Sequence, residues 1–249
     1  MAVLVIALAL CALLVHGNRL PPWSLPVATV AAVHGGLLSI AFGWAATTPP
    51  QWRPLGPSII IILVLALAAA GVRWDPRAAI FYLASPLWLT VLTISGRLEA
   101  LGLRSQVPVG GSLLGFAAGL MLGGHMLLAA AVTFGHRVTT DSFVLTAIAY
   151  DAGANVPSSE LFFRGAVFNR LQRRWSFVAA VTVATAMSLV RYLVDPLLPR
   201  APEVILGTLV YVTLLGVINA WLLWWSGSLL PGLIAALVFF AAYRMVAAV

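Results

Sequence analysis

An all-helical membrane bundle is what this sequence predicts, and two observations predict it. Of 249 residues, 62% are hydrophobic and only 8% are charged, whereas a soluble domain carries about 25% charged residues. The apolar residues also fall in runs set off by short clusters of Arg, Pro and Gly, and a bilayer crossing needs roughly 17–25 such residues. No soluble fold buries this much apolar surface, so lipid is the solvent for most of the chain. No polar stretch is long enough for a soluble appendage. The expectation is one membrane domain over 1–249 with eight to nine spans.

The spans follow in order. The run 2–16 lacks the basic start and the small-residue cleavage site of a secretory signal, so it reads as a short first helix. The next runs are 24–46, 57–72, 79–95, 109–134, 142–168, 176–194, 204–225 and 229–247. The fifth carries Gly111, Gly115, Gly119 and Gly123, a bare stripe at four-residue spacing that lets another backbone approach closely. His125 follows in the same run, where a membrane histidine usually bonds a neighbouring helix. The sixth is the most polar, with Asp151, Asn155, Ser158, Ser159, Glu160 and Arg164, and Pro157 can kink it just before the charges. The nine tryptophans lie mostly near span ends, as an interfacial belt would.

Charge excludes some functions and leaves orientation to one cluster. All 14 basic residues are arginine, and the net charge is +7. This suits anionic lipid headgroups, and no basic run interleaved with aromatics suggests nucleic acid. Loop arginines divide six against five between the two sides. The dense Arg170, Arg173 and Arg174 group places its loop, and with it the N-terminus, in the cytoplasm. The lone Cys11 excludes an internal disulfide and a cysteine zinc site.

The chemistry concentrates in Ser159-Glu160-Leu161-Phe162-Phe163-Arg164-Gly165. Glu160 and Arg164 share a helix face at four-residue spacing. Ionisable groups at membrane depth are expensive unless paired or hydrated, which marks them for function. Asp151, nine residues earlier, falls near the opposite face and is expected near the helix entrance, as a possible accessory rather than Glu160's partner.

This stretch resembles the Glu-Glu-x-x-x-Arg-Gly helix of the CAAX-prenyl-protease and bacteriocin-processing (CPBP, or Abi) intramembrane proteases. Met187-Ser-Leu-Val-Arg191 falls where that family has Phe-x-x-x-His. Gly227-Ser-Leu-Leu-Pro-Gly, followed by Ala236 and Phe240, falls where it has Gly-Ser-Leu-x-x-Pro and then His-x-x-x-Asn. The resemblance spans about 142–247 and implies a polytopic helical fold and an endopeptidase ancestry.

The resemblance also implies a degraded catalytic set. Glu160 and Arg164 match the family. Ser159 stands at the water-activating glutamate, Arg191 and Ala236 at the two histidines, and Phe240 at the asparagine. Peptide hydrolysis needs a base for water and donors for the oxyanion. A permanently protonated arginine supplies no base and no metal ligand, and alanine supplies nothing polar. The expected arrangement is an ion cluster of Glu160, Arg164 and Arg191, with Asp195 as a compensating acid, or else Arg191 reaching to the interface.

Three functions compete on these residues. The first is a catalytically inactive or strongly impaired CPBP-type protein of the bacterial inner (plasma) membrane. It would act by binding a membrane partner such as a prenylated protein or membrane peptide. The second is an active divergent endopeptidase with Glu160 as base and an imidazole from His125 or His34. The third is a small transporter-like scaffold along Asp151, Asn155 and Glu160. No cofactor is expected, with zinc only if His125 or His34 faces Glu160. A Ser159 nucleophile lacks both a nearby histidine in sequence and the usual glycine context.

Overall fold

The computed structural model describes residues 2–48, 51–106, 109–193 and 202–246. Among the described residues, nine helical rods run in order. They are α1 Ala2–His16, α2 Ser24–Ala46, α3 Leu55–Trp74, α4 Pro76–Ile94, α5 Val109–Thr133, α6 over 142–171, α7 Phe177–Leu193, α8 Pro202–Ser226 and α9 Leu230–Arg244. Each lies where an apolar run predicts a span. No strand forms among the described residues, and a single bridge joins Val138 to Val246.

Five of the rods, α2, α3, α4, α5 and most of α8, are long and apolar enough to cross a bilayer, and α1, α7 and α9 are shorter apolar helices. Large apolar side chains point outward all around the bundle. Leu13, Leu67, Met121 and Val132 are each more than half exposed. In water such a surface would aggregate; in hydrocarbon it is the expected exterior. The protein is an integral membrane protein.

Small residues set the closest helix contacts. The stripe on α5 packs against α9: a Cβ on Gly115 would strike the Pro231 backbone, one on Gly119 the Ala235 backbone, and one on Gly123 the Ala242 methyl at 2.8 Å. Lipid tails are as apolar as leucine, so helices associate through packing, and bare backbone permits the closest packing. Gly35 on α2 plays the same part against Ile62 of α3, where a Cβ would come within 2.7 Å. The turn into α9 uses Gly227 at φ 66°, where a side chain would be strained. Leu229 N–H then donates to the Gly102 carbonyl at 2.9 Å, tying that turn to the α4–α5 connection.

Helix α6 is continuous but irregular. The Asp141 side chain caps it by accepting from the Val144 N–H at 3.0 Å. Its hydrogen bonding then widens to the π pattern over Asp151–Asn155, returns to α for Val156–Ser159, and widens again over Glu160–Phe168. Pro157 has no N–H to give the carbonyl four residues back, and a π segment is a common way for a helix to absorb that loss. Gly153 lies so close to the Tyr82 carbonyl of α4 that no side chain fits there. The irregular stretch is therefore held by packing and presents different polar groups to different neighbours.

Candidate functional site

Two separate polar groups form around α6. The first is a chain of hydrogen bonds at the end of the bundle where α1, α3, α5, α7 and α9 finish. Asp151 is 2% exposed and accepts from Arg244 Nε at 2.6 Å and Arg244 Nη2 at 2.9 Å, a bidentate pair with α9. Asn155 Nδ2 donates to the same carboxylate at 2.9 Å, and its Oδ1 accepts from Arg191 Nη1 at 2.9 Å. Arg191 Nη2 reaches His34 Nε2 of α2 at 3.3 Å.

These contacts define the state of His34. Arginine only donates, so His34 Nε2 must be an acceptor, shared between Arg191 and the Tyr150 hydroxyl at 2.6 Å. The proton therefore sits on Nδ1, which donates to Ser158 Oγ at 2.8 Å, and Ser158 passes its own hydrogen to the Asn155 carbonyl at 3.1 Å. The ring is a neutral connector between three helices. Every polar group in the chain has a partner, which low-dielectric surroundings demand.

The second group lies on the other side of α6. Glu160 is 4% exposed and Arg164 is 2% exposed, with Arg164 Nε at 3.8 Å from Glu160 Oε2. That separation is a Coulombic contact rather than a hydrogen bond. The guanidinium fills the room left by Gly216 of α8, beside Thr185 of α7. Asn219 of α8 stands next to the carboxylate, although its side-chain nitrogen makes no aligned hydrogen bond. Glu160 Oε2, Arg164 Nε and Nη1, Thr185 Oγ1 and both Asn219 side-chain polar atoms share this condition.

A cavity of about 790 Å³ opens beside the first group. Asn155, Arg191, Tyr192 and Arg244 form its polar wall, and Val30, Val72, Met126 and Phe239 belong to its apolar wall. None of Ser159, Glu160 and Arg164 lines it. The Tyr192 hydroxyl stands between, reaching Ser159 Oγ at 3.5 Å, and the Tyr192 ring stacks on Phe240 at 5.7 Å.

Residues 141–241 match the family described as type II CAAX prenyl endopeptidase, Rce1-like. The similarity is confined to this segment. It covers about two-fifths of the chain and contains α6 through most of α9. No curated protein and no solved structure matches the chain.

Within the Rce1-like segment, the sequence-predicted residues separate. Glu160 and Arg164 come together as their spacing requires. Arg191 does not join them: it bonds Asn155 and His34, because α7 faces the Asn155 side of α6 at that level. The expected trio is therefore corrected to a Glu160–Arg164 pair and a distinct Arg191 chain. Arg191 does not simply reach for the interface either, since Asn155 holds it within the bundle. Asp195 lies outside the described residues. Asp151 is not an entrance residue but the buried anchor of Arg244. Ala236 is buried in the core of α9, and Phe240 forms part of the cavity wall.

Neither in-span histidine faces Glu160. His34 is engaged with Ser158, Tyr150 and Arg191, and His125 lies exposed on α5 with Nδ1 at 2.8 Å from the Tyr211 hydroxyl. His125 makes the bond to a neighbouring helix expected of a membrane histidine, from an exposed face of α5. Sequence reasoning missed Arg244 and Tyr150. A signal for Arg244 existed: an arginine in the last apolar run needs an acid, and only Asp151 and Glu160 lie inside spans.

Proposed function

We propose that this protein is a non-hydrolytic relative of the CAAX endopeptidases, which holds a membrane partner in the cavity beside α6 without cutting it. One observation carries the reading: the family's catalytic positions that reach the cavity, Arg191 and Phe240, offer no group that can take a proton from water. Arg191, at the family's first histidine, is a permanent donor already committed to Asn155 and His34. Phe240, at the asparagine, stacks on Tyr192. Ser159 replaces the activating carboxylate, and Glu160 lies off the cavity against Arg164. A base must stand within hydrogen-bond reach of the water it activates, and Glu160 does not line the cavity.

Cavity size supports binding. Small-molecule sites usually span about 300–1,000 Å³ and are mostly apolar with a few convergent polar groups. A prenylated protein or a membrane peptide is the partner class, and a bacterial inner (plasma) membrane is the setting. The test uses purified protein with a farnesylated peptide that carries a photo-crosslinker. Crosslinking without cleavage, unchanged in Glu160→Gln, is the expected result. Cleavage by the wild type that disappears in Glu160→Gln would overturn the reading.

A further inference from the structure

We propose that the cavity takes a single-chain anionic lipid, its headgroup at the rim on Arg73 and His136 and its tail along the apolar wall. This rests on the reading that the cavity binds rather than cuts. Three arginines, Arg73, Arg191 and Arg244, line the cavity, and no Asp or Glu does among the described residues. Asp151 serves Arg244 from behind the wall, and Asp75, two residues from Arg73, accepts from the Arg77 N–H. Arg73 is exposed at the end of α3, beside the Trp23–Trp74 ring pair, whose centroids lie 6.3 Å apart. Tryptophan pairs of this kind sit at headgroup level. His136 also lines the rim, and its Nδ1 is buried with no hydrogen-bond partner.

The wall's hydrogen-bonding chemistry selects an acceptor-rich guest. Two of its side-chain oxygens are engaged within the protein: the Asn155 oxygen takes Arg191, and the Tyr211 oxygen meets His125. An extended peptide would bring N–H donors into a place where they find few acceptors, which is costly in hydrocarbon. A phosphate or carboxylate brings only acceptors to a rim of donors. The tail gains little by moving from one hydrocarbon phase to another, so selectivity resides in the headgroup.

Gly207 of α8 supplies the control. It lines the cavity, and a Cβ there meets nothing within 4 Å, so Gly207→Phe adds bulk to the cavity wall from a position with room for a side chain to start. The full chain in phosphatidylcholine nanodiscs is offered hexadecyl phosphate, palmitate, hexadecanol or a farnesylated tetrapeptide, and retention is read by native mass spectrometry. At least one anion is expected to remain bound at one-to-one stoichiometry about tenfold more strongly than the alcohol, the scale of one charge-assisted hydrogen bond. Comparing the two anions identifies the headgroup. Arg73→Gln should remove the preference, Arg73→Lys should keep it, and Gly207→Phe should reduce retention of every chain. Equal retention of alcohol and anions, or anion retention unchanged in Arg73→Gln or Gly207→Phe, overturns the inference. Retention of the peptide alone, uncut, overturns it while leaving the binding reading intact. Peptide cleavage overturns both.

Discussion

Replacing Asp151 by alanine tests the polar chain where it is most heavily loaded. The carboxylate accepts three hydrogen bonds, two from Arg244 and one from Asn155. Removing one partner of a buried ion pair destabilises by about 3–5 kcal/mol, because the other charge is left without compensation. The Arg244 side chain is 30% exposed at the cavity and can turn toward it, so Asp151→Ala belongs near the lower end, about 3 kcal/mol. The opposite change, Arg244→Ala, strands a carboxylate that is 2% exposed, and belongs near the upper end, about 5 kcal/mol. The double variant removes both charges together. It should fall short of the sum of the singles by at least about 1.5 kcal/mol, the smallest coupling measured for close charge pairs. Unfolding in mixed micelles by titration with a denaturing detergent, followed by helical circular dichroism, measures each variant. Additivity within about 0.5 kcal/mol would show that the pair is not coupled and would refute the reasoning.

Three further outcomes follow from the packing. Arg191→Ala and Glu160→Gln should add within about 0.5 kcal/mol in the same unfolding assay, because the two groups share no bond; rescue of one by the other would restore the single ion cluster that the sequence suggests. Gly119→Leu should abolish the folded yield in detergent extracts, since overpacking costs about 1–3 kcal/mol or more and the Ala235 backbone cannot move aside. On the same helix, Gly124→Ala meets nothing within 4 Å and should be neutral or stabilising by up to about 1 kcal/mol; equal losses in both would refute the backbone-contact argument. His34→Phe should destabilise by about 1–3 kcal/mol through loss of the His34 bonds to Ser158, Tyr150 and Arg191, and a neutral result in the unfolding assay would mean that the ring is not a connector.

Sequence alone settled the class of the molecule and the positions of its spans, because hydrocarbon demands long apolar runs and Arg, Pro and Gly interrupt them. It also made the α5 contact face legible, since four glycines at constant spacing leave one bare stripe whatever the partner. The Glu160–Arg164 pair was readable for the same reason: both residues lie on one helix and their separation is local. What the tertiary structure alone decided is which polar groups on different helices meet. Asp151 with Arg244, Asn155 with Arg191, and Arg191 with His34 join residues 36 to 157 positions apart, and no spacing rule reaches that far. Asp151 and Glu160 do fall into separate networks, as their nine-residue spacing predicts, but that Arg191 belongs with the first was decided by how α7 packs on α6. The cavity, likewise, exists only where eight helix ends converge.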